Sequence, residues 1–167
     1  QQAARGALAL LFRAAIHAAK LARHETGIDS GSASVSSLGI ARAESTHGPL
    51  AERSILVIGA GEMAQVILKG LAQRGVTNVT LLSRTYENAR QLADEWNVRA
   101  RPITEMKAAL VEADVLFTTS SAPFIILSRE DLVPVMAERR DRALCIVDLA
   151  MPRDVDPAVG QVPGVHL

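Results

Sequence analysis

Cysteine is almost missing from this chain. Cys145 stands alone, which excludes an internal disulfide and any cysteine-based metal cluster; a reducing, cytoplasmic setting is the expectation that follows. An excess of either charge is missing too, since Lys plus Arg and Asp plus Glu each number 18. The net charge of zero leaves no global field to draw in nucleic acid or an anionic membrane. No apolar run approaches the roughly 20 residues that cross a bilayer. Ala7–Phe12 is apolar, but Arg13, His17, Lys20 and Arg23 follow closely. The same segment lacks a small-residue cleavage pattern, so neither a membrane anchor nor a signal peptide is expected. The four histidines, His17, His24, His47 and His166, lie in unrelated places without metal-ligand spacing, and no metal site is expected. The first residue is Gln1 rather than Met, which reads as a piece of something longer.

What is present centres on Ser54–Ala64, SILVIGAGEMA. The apolar run Ile55–Ile58 leads into Gly59, Gly61 and Ala64 at G-x-G-x-x-A spacing, and Gln65–Arg74 continues with helical periodicity. Strand, tight turn and helix start in this order suit a dinucleotide pyrophosphate. Gly59 tolerates the positive φ of the turn, Gly61 has no Cβ to block a phosphate, and Ala64 lets the helix pack close to the strand. The free N–H groups at the helix start, with Ala60, Glu62 and Met63 completing the turn, face the anion.

Apolar strands alternate with helices along the rest of the chain. Strands are expected at Ile55–Gly59, Val79–Ser83, Arg99–Ile103, Val115–Thr119, Leu144–Leu149 and Val165–Leu167, with helices at Glu62–Arg74, Tyr86–Trp96, Ile103–Glu112 and Arg129–Arg139. This alternation predicts an α/β Rossmann-type doubly wound parallel sheet, residues 50–167, with right-handed crossovers. Residues 1–49 read as a helical extension: a helix over Gly6–His24 with Leu8, Leu11, Phe12, Ala15 and Ala19 on one stripe, then a Gly/Ser-rich loop over Glu25–Ser37 and a short element around Val35–Ala43. The stripe needs a partner surface, either within its own domain or on one missing from this chain.

The second strand ends in Ser83-Arg84-Thr85, about 20 residues after the glycine turn, where an NAD-specific domain carries a carboxylate for the ribose 2′-OH. Two hydroxyls and a guanidinium suit a 2′-phosphate instead, so NADPH is the expected cofactor. Thr119-Ser120-Ser121, after the fourth strand, fall at the switch point where the sheet order reverses and are expected near the nicotinamide ribose. After the fifth strand, Asp148–Pro157 reads DLAMPRDVDP, a rigid polar loop expected on the same rim, facing the nicotinamide, with Asp148 and Asp154 capping turns and pairing with Arg153. Cys145, inside the strand LCIVDL, reads as an inert buried thiol, and Arg139-Arg140-Asp141-Arg142 as a solvated helix end. No catalytic residue is assigned.

Taken together, GAGEMA at Gly59–Ala64, SRT at Ser83–Thr85, TSSAP at Thr119–Pro123, DLAMPRDVDP at Asp148–Pro157 and the upstream segment Leu11–Ser36 resemble the glutamyl-tRNA reductases of tetrapyrrole biosynthesis over nearly the whole chain. Two positions depart from that pattern: Ala64 where many members have a third glycine, and Ser83 where Asn is common. The resemblance implies an NADPH-binding domain with the end of the preceding catalytic domain and its linker. A catalytic cysteine elsewhere in such an enzyme displaces tRNA as a thioester, and hydride from NADPH then releases glutamate-1-semialdehyde. Cys145 does not match that cysteine's motif. Glutamyl-tRNA is then a partner through the catalytic domain and the full-length enzyme a homodimer; separately, the apolar stripe of the first helix leads to the expectation that the present chain self-associates through residues 6–24. Rival readings are the NADP domain of a shikimate-dehydrogenase-like reductase, opposed by its missing Lys and Asp acid/base partners and by DLAMPRDVDP, and a non-enzymatic nucleotide-sensing module.

Overall fold

The computed structural model describes residues 35–167 together with residues 6, 8, 10–18 and 21. Two compact units divide the chain, residues 1–34 and 35–167. In the first, the described residues are helical, and Leu8, Leu11, Phe12 and Ile16 are exposed. Ala19 and residues 25–34 of the expected loop lie outside the described residues.

The second unit begins at Val35, earlier than the boundary expected at Leu50. Its first helix, α1 (Val35–His47), takes in the end of the expected loop and buries Ile40 and Ala43 in the core. Strand β1 (Ile55–Ile58) follows and is buried at every residue, as suits a central parallel strand. Then come α2 (Glu62–Ala72), β2 (Val79–Ser83), α3 (Tyr86–Trp96), β3 (Arg99–Pro102), α4 (Met106–Glu112), β4 (Val115–Thr118), α5 (Arg129–Arg139), β5 (Leu144–Asp148) and β6 (Val165–His166). Short 3₁₀ turns occupy Leu50–Glu52, Ile103–Glu105 and Pro157–Gln161, the second taking the first turn of the helix expected from Ile103.

All six strands are parallel in the order β3-β2-β1-β4-β5-β6. The order reverses between β1 and β4, as the sequence pattern implies for a doubly wound sheet. Alternate strand residues feed two cores. Ile55, Val57, Leu81, Phe117 and Cys145 pack with α1, α2 and α3, whereas Leu56, Ile58, Leu82, Leu116 and Ile146 pack with α4 and α5. Ile58 pairs with Leu82 on one side and Thr118 on the other, so the carboxyl ends of the three central strands finish level.

Local signals set the helix ends. α5 starts with a capping box in which Ser128 and Asp131 satisfy each other's backbone N–H groups. Those bonds hold the Asp131 carboxyl below the usual carboxylate range. The end of α5 corrects the sequence reading, because Arg139 is not solvated: it is 2% exposed. Its guanidinium donates to the carbonyls of Leu110 (2.6 Å), Val111 (3.0 Å), Ala143 (2.6 Å), Arg142 (3.2 Å) and Ala113. Burial pulls its pKa down to about 10. The side chain therefore stays charged at neutral pH and satisfies carbonyls that the end of α4 leaves without helical partners.

Candidate functional site: a dinucleotide cleft at the switch point

Where β1 and β4 diverge, a cleft of about 770 Å³ opens at the carboxyl edge of the sheet. Its floor is the turn after β1, Gly59–Met63; one wall is Ser83, Arg84, Thr85 and Asn88, and the other runs from Thr119 to Ile126.

The two glycines of the turn serve different ends. Gly59 has φ +121°, and a Cβ there would lie 2.4 Å from Thr119 Oγ1 and 2.9 Å from the Thr119 backbone. The fold itself needs that glycine. Gly61 caps α2 at φ −93°, ψ −168°, an extended geometry open to any residue, and a Cβ there would meet nothing within 4 Å. The fold itself makes no use of the space it leaves. No side chain caps α2, and its first bond as a helix is Gln65 N–H to the Gly61 carbonyl, so the N–H groups before it have no helical partner at the end of α2 that borders the cleft. Ala64 does not line the cleft; it is 0% exposed beneath α2, where it acts by packing.

On the β2 side, Ser83 is half-buried and Arg84 exposed, and among the described residues Arg84 has no hydrogen-bond or ion-pair partner. Thr85 occupies the N-cap position of α3, yet its hydroxyl makes no capping bond and stays available. Asn88, in the first turn of α3, shares this wall, and Ile103 and Met106 give it an apolar flank. Nothing local to Asn88, Ile103 or Met106 marks them in the sequence; they reach the cleft because β3 and α3 pack beside β2.

Across the switch point, Thr119 N–H and Oγ1 both donate to the Ile58 carbonyl, at 2.8 Å and 3.2 Å. Ser120 lines the cleft but faces inward: its N–H and hydroxyl donate to the two carboxylate oxygens of Asp154, at 2.9 Å and 2.5 Å. Ser121 is exposed, as are Phe124 and Ile125 beyond it. None of Asp148–Pro157 lines the cleft, so the expectation that this loop faces the nicotinamide is corrected. Asp148 accepts from Thr118 Oγ1 (2.8 Å), Ala150 N–H (3.0 Å) and Val155 N–H (3.2 Å). Among the described residues neither aspartate pairs with Arg153, which is exposed. The motif braces the β4 loop from behind.

Cys145 is buried in β5. Burial pushes its thiol pKa up, against a weaker opposing hydrogen bond with Thr46. A neutral, enclosed thiol is a poor nucleophile. No group of three or more His, Cys, Asp or Glu suited to a metal ion occurs among the described residues.

The family model for shikimate / quinate 5-dehydrogenase matches residues 41–167, which include the whole cleft. The chain belongs to that family. Among full proteins, the glutamyl-tRNA reductase of Exiguobacterium sibiricum is 38% identical over 157 residues, covering 94% of this chain and 35% of the relative. Among solved structures, the glutamyl-tRNA reductase from Methanopyrus kandleri superposes with a TM-score of 0.75 at 36% identity, over 96% of this chain and 40% of that one. The chain thus spans little more than a third of the length of the relatives it matches. Shikimate 5-dehydrogenase from Listeria monocytogenes, at 16% identity and a TM-score of 0.55 over 79% of this chain and 50% of that one, shares the fold alone. The glutamyl-tRNA reductase resemblance read from the motifs is therefore borne out, and the shikimate-dehydrogenase-like alternative is not favoured. No helix among the described residues is long and apolar enough to cross a membrane.

Proposed function

We propose that this chain is the NADPH-binding domain of a glutamyl-tRNA reductase, residues 35–167, with the residues before it coming from the end of the catalytic domain and its linker. The observation that carries the reading is 38% identity to glutamyl-tRNA reductases over 94% of the chain. Its site residues are those of the cleft. The backbone of Gly59–Met63 and the start of α2 bind the pyrophosphate, and Ser83, Arg84 and Thr85 take the 2′-phosphate. Ile103 and Met106 flank the adenine, and Thr119 and Ser121 border the nicotinamide ribose, with Ser120 holding the wall from inside. When bound, the reduced nicotinamide supplies a hydride. The residues of this domain orient it and exclude water; the acyl group to be reduced arrives from another domain, on glutamyl-tRNA. A homodimer of the full-length enzyme in the reducing cytoplasm belongs to the same proposal. So does self-association of the present chain through residues 6–24, which sedimentation before and after removal of residues 1–30 tests; an intact chain that sediments as a monomer disproves it.

Preference for NADPH rests on the absence of a carboxylate at the end of β2. Arg84→Ala is expected to weaken NADPH by roughly ten- to a hundredfold, the loss of one or two charge-assisted hydrogen bonds. NADH binding should change little. Fluorescence titration of both cofactors measures the difference, and equal losses would refute the 2′-phosphate role.

The chain alone is expected to bind NADPH and form no aldehyde from glutamyl-tRNA. Hydride transfer needs an electrophilic carbonyl held about 3–3.5 Å from its donor, and Cys145 is too enclosed to present one. NADPH oxidation assayed with the chain, its Cys145→Ser variant and a full-length relative decides the point. Turnover by the chain that disappears in Cys145→Ser would overturn the domain assignment.

A further inference from the structure

Asp154 is 0% exposed and has no cationic partner among the described residues, although an ionised carboxylate is costly to enclose. Among the described residues, every bond it makes goes to one loop. Its carboxylate accepts from the N–H and hydroxyl of Ser120, where the β4 loop begins. Its backbone carbonyl accepts from the N–H groups of Ile126 (2.7 Å) and Leu127 (3.1 Å), where the loop ends. A single bridge between Leu127 and Val155, and Asp156 N–H on the Leu127 carbonyl at 3.0 Å, continue this seam. Between the two anchor points Ser121, Phe124 and Ile125 stand exposed and form one wall of the cleft.

We infer that Asp154 is a positioning residue for the nicotinamide half of the dinucleotide: it pins both ends of the Ser120–Leu127 loop and so sets the wall against which that half lies. The inference rests on the dinucleotide reading of the cleft and adds a residue that touches no ligand. Ser120 is the link. Its hydroxyl donates to Asp154 and accepts from Ala122 N–H at 3.1 Å, which fixes the direction in which the chain leaves β4. The adenosine half lies on the other side of β1, against Ser83–Thr85, beyond the reach of this clamp.

Two ligands separate positioning from general support: NADPH, and adenosine 2′,5′-bisphosphate, which carries the adenosine half alone. Asp154→Ala is expected to weaken NADPH at least tenfold and to leave adenosine 2′,5′-bisphosphate within twofold of the parent. Asp154→Asn, which keeps an acceptor for Ser120 N–H, should recover most of the loss. Should Asp154→Ala fail to fold, Ser120→Ala carries the test, with an expected loss of about threefold, roughly half the free energy of one hydrogen bond to a charged group, for NADPH alone. Equal weakening of both ligands, or unchanged NADPH binding in a folded variant, overturns the inference. A parent chain that binds neither ligand sinks the dinucleotide reading and the inference with it.

Discussion

A Gly61→Val chain will fold and bind no dinucleotide, whereas Gly59→Ala will damage the fold itself. At Gly61 the backbone is extended and a Cβ meets no protein atom within 4 Å, so valine enters without a clash. Its cost to the fold is a poorer helix start, about 1 kcal/mol. The branched side chain would instead fill the space that the pyrophosphate has to enter above the free N–H groups of α2. At Gly59 the strain of φ +121° for a residue with a side chain costs about 1–3 kcal/mol. Contact of its Cβ with Thr119 at 2.4 Å adds to that, and Thr119 is tied to Ile58 and cannot yield easily. Thermal melts and cofactor titrations of both variants should therefore separate cleanly. Retained binding by folded Gly61→Val would make the turn a structural feature only.

The largest loss of stability is expected at Arg139. Arg139→Met keeps much of the volume and removes every donor, leaving the carbonyls of Leu110, Val111, Ala113, Arg142 and Ala143 without that partner in or near the core. Groups enclosed and left unpaired cost about 1–3 kcal/mol each, and partial rearrangement should hold the total to about 3–5 kcal/mol. Arg139→Lys should recover little, because one ammonium cannot reproduce a planar fork that reaches several carbonyls together. Denaturant unfolding measures both. A loss below about 1 kcal/mol in Arg139→Met would show that water replaces the guanidinium and that the arginine is dispensable to the fold.

These two residues divide what is local from what is not. Gly61 lies in a motif whose meaning is set by its neighbours: an apolar run before it, small residues at fixed spacing, a helical pattern after it. Arg139 sits in a run of charged residues at a helix end, a pattern that ordinarily faces water. Its burial follows from α5 lying against α4, so that five carbonyls from two chain segments, 110–113 and 142–143, converge on it.

By itself the sequence determined the order of strands and helices from Ile55 onward, the doubly wound class, the glycine turn and the carboxylate-free end of β2, because each is encoded by periodicity or by residues adjacent in the chain. It also placed Cys145 inside a strand, where burial keeps the thiol neutral. Tertiary structure alone decided that the compact unit starts at Val35, since α1 gains its place by burying Ile40 and Ala43 against distant strands. It decided that Asn88, Ile103 and Met106 join the wall of the cleft. It turned the Asp148–Pro157 loop from a face of the site into its brace, with Asp154 bound to Ser120 across 34 positions of the chain. Periodicity reports which face of an element is buried; which side chain meets which carbonyl depends on how the elements pack, and packing joins residues that no local pattern connects.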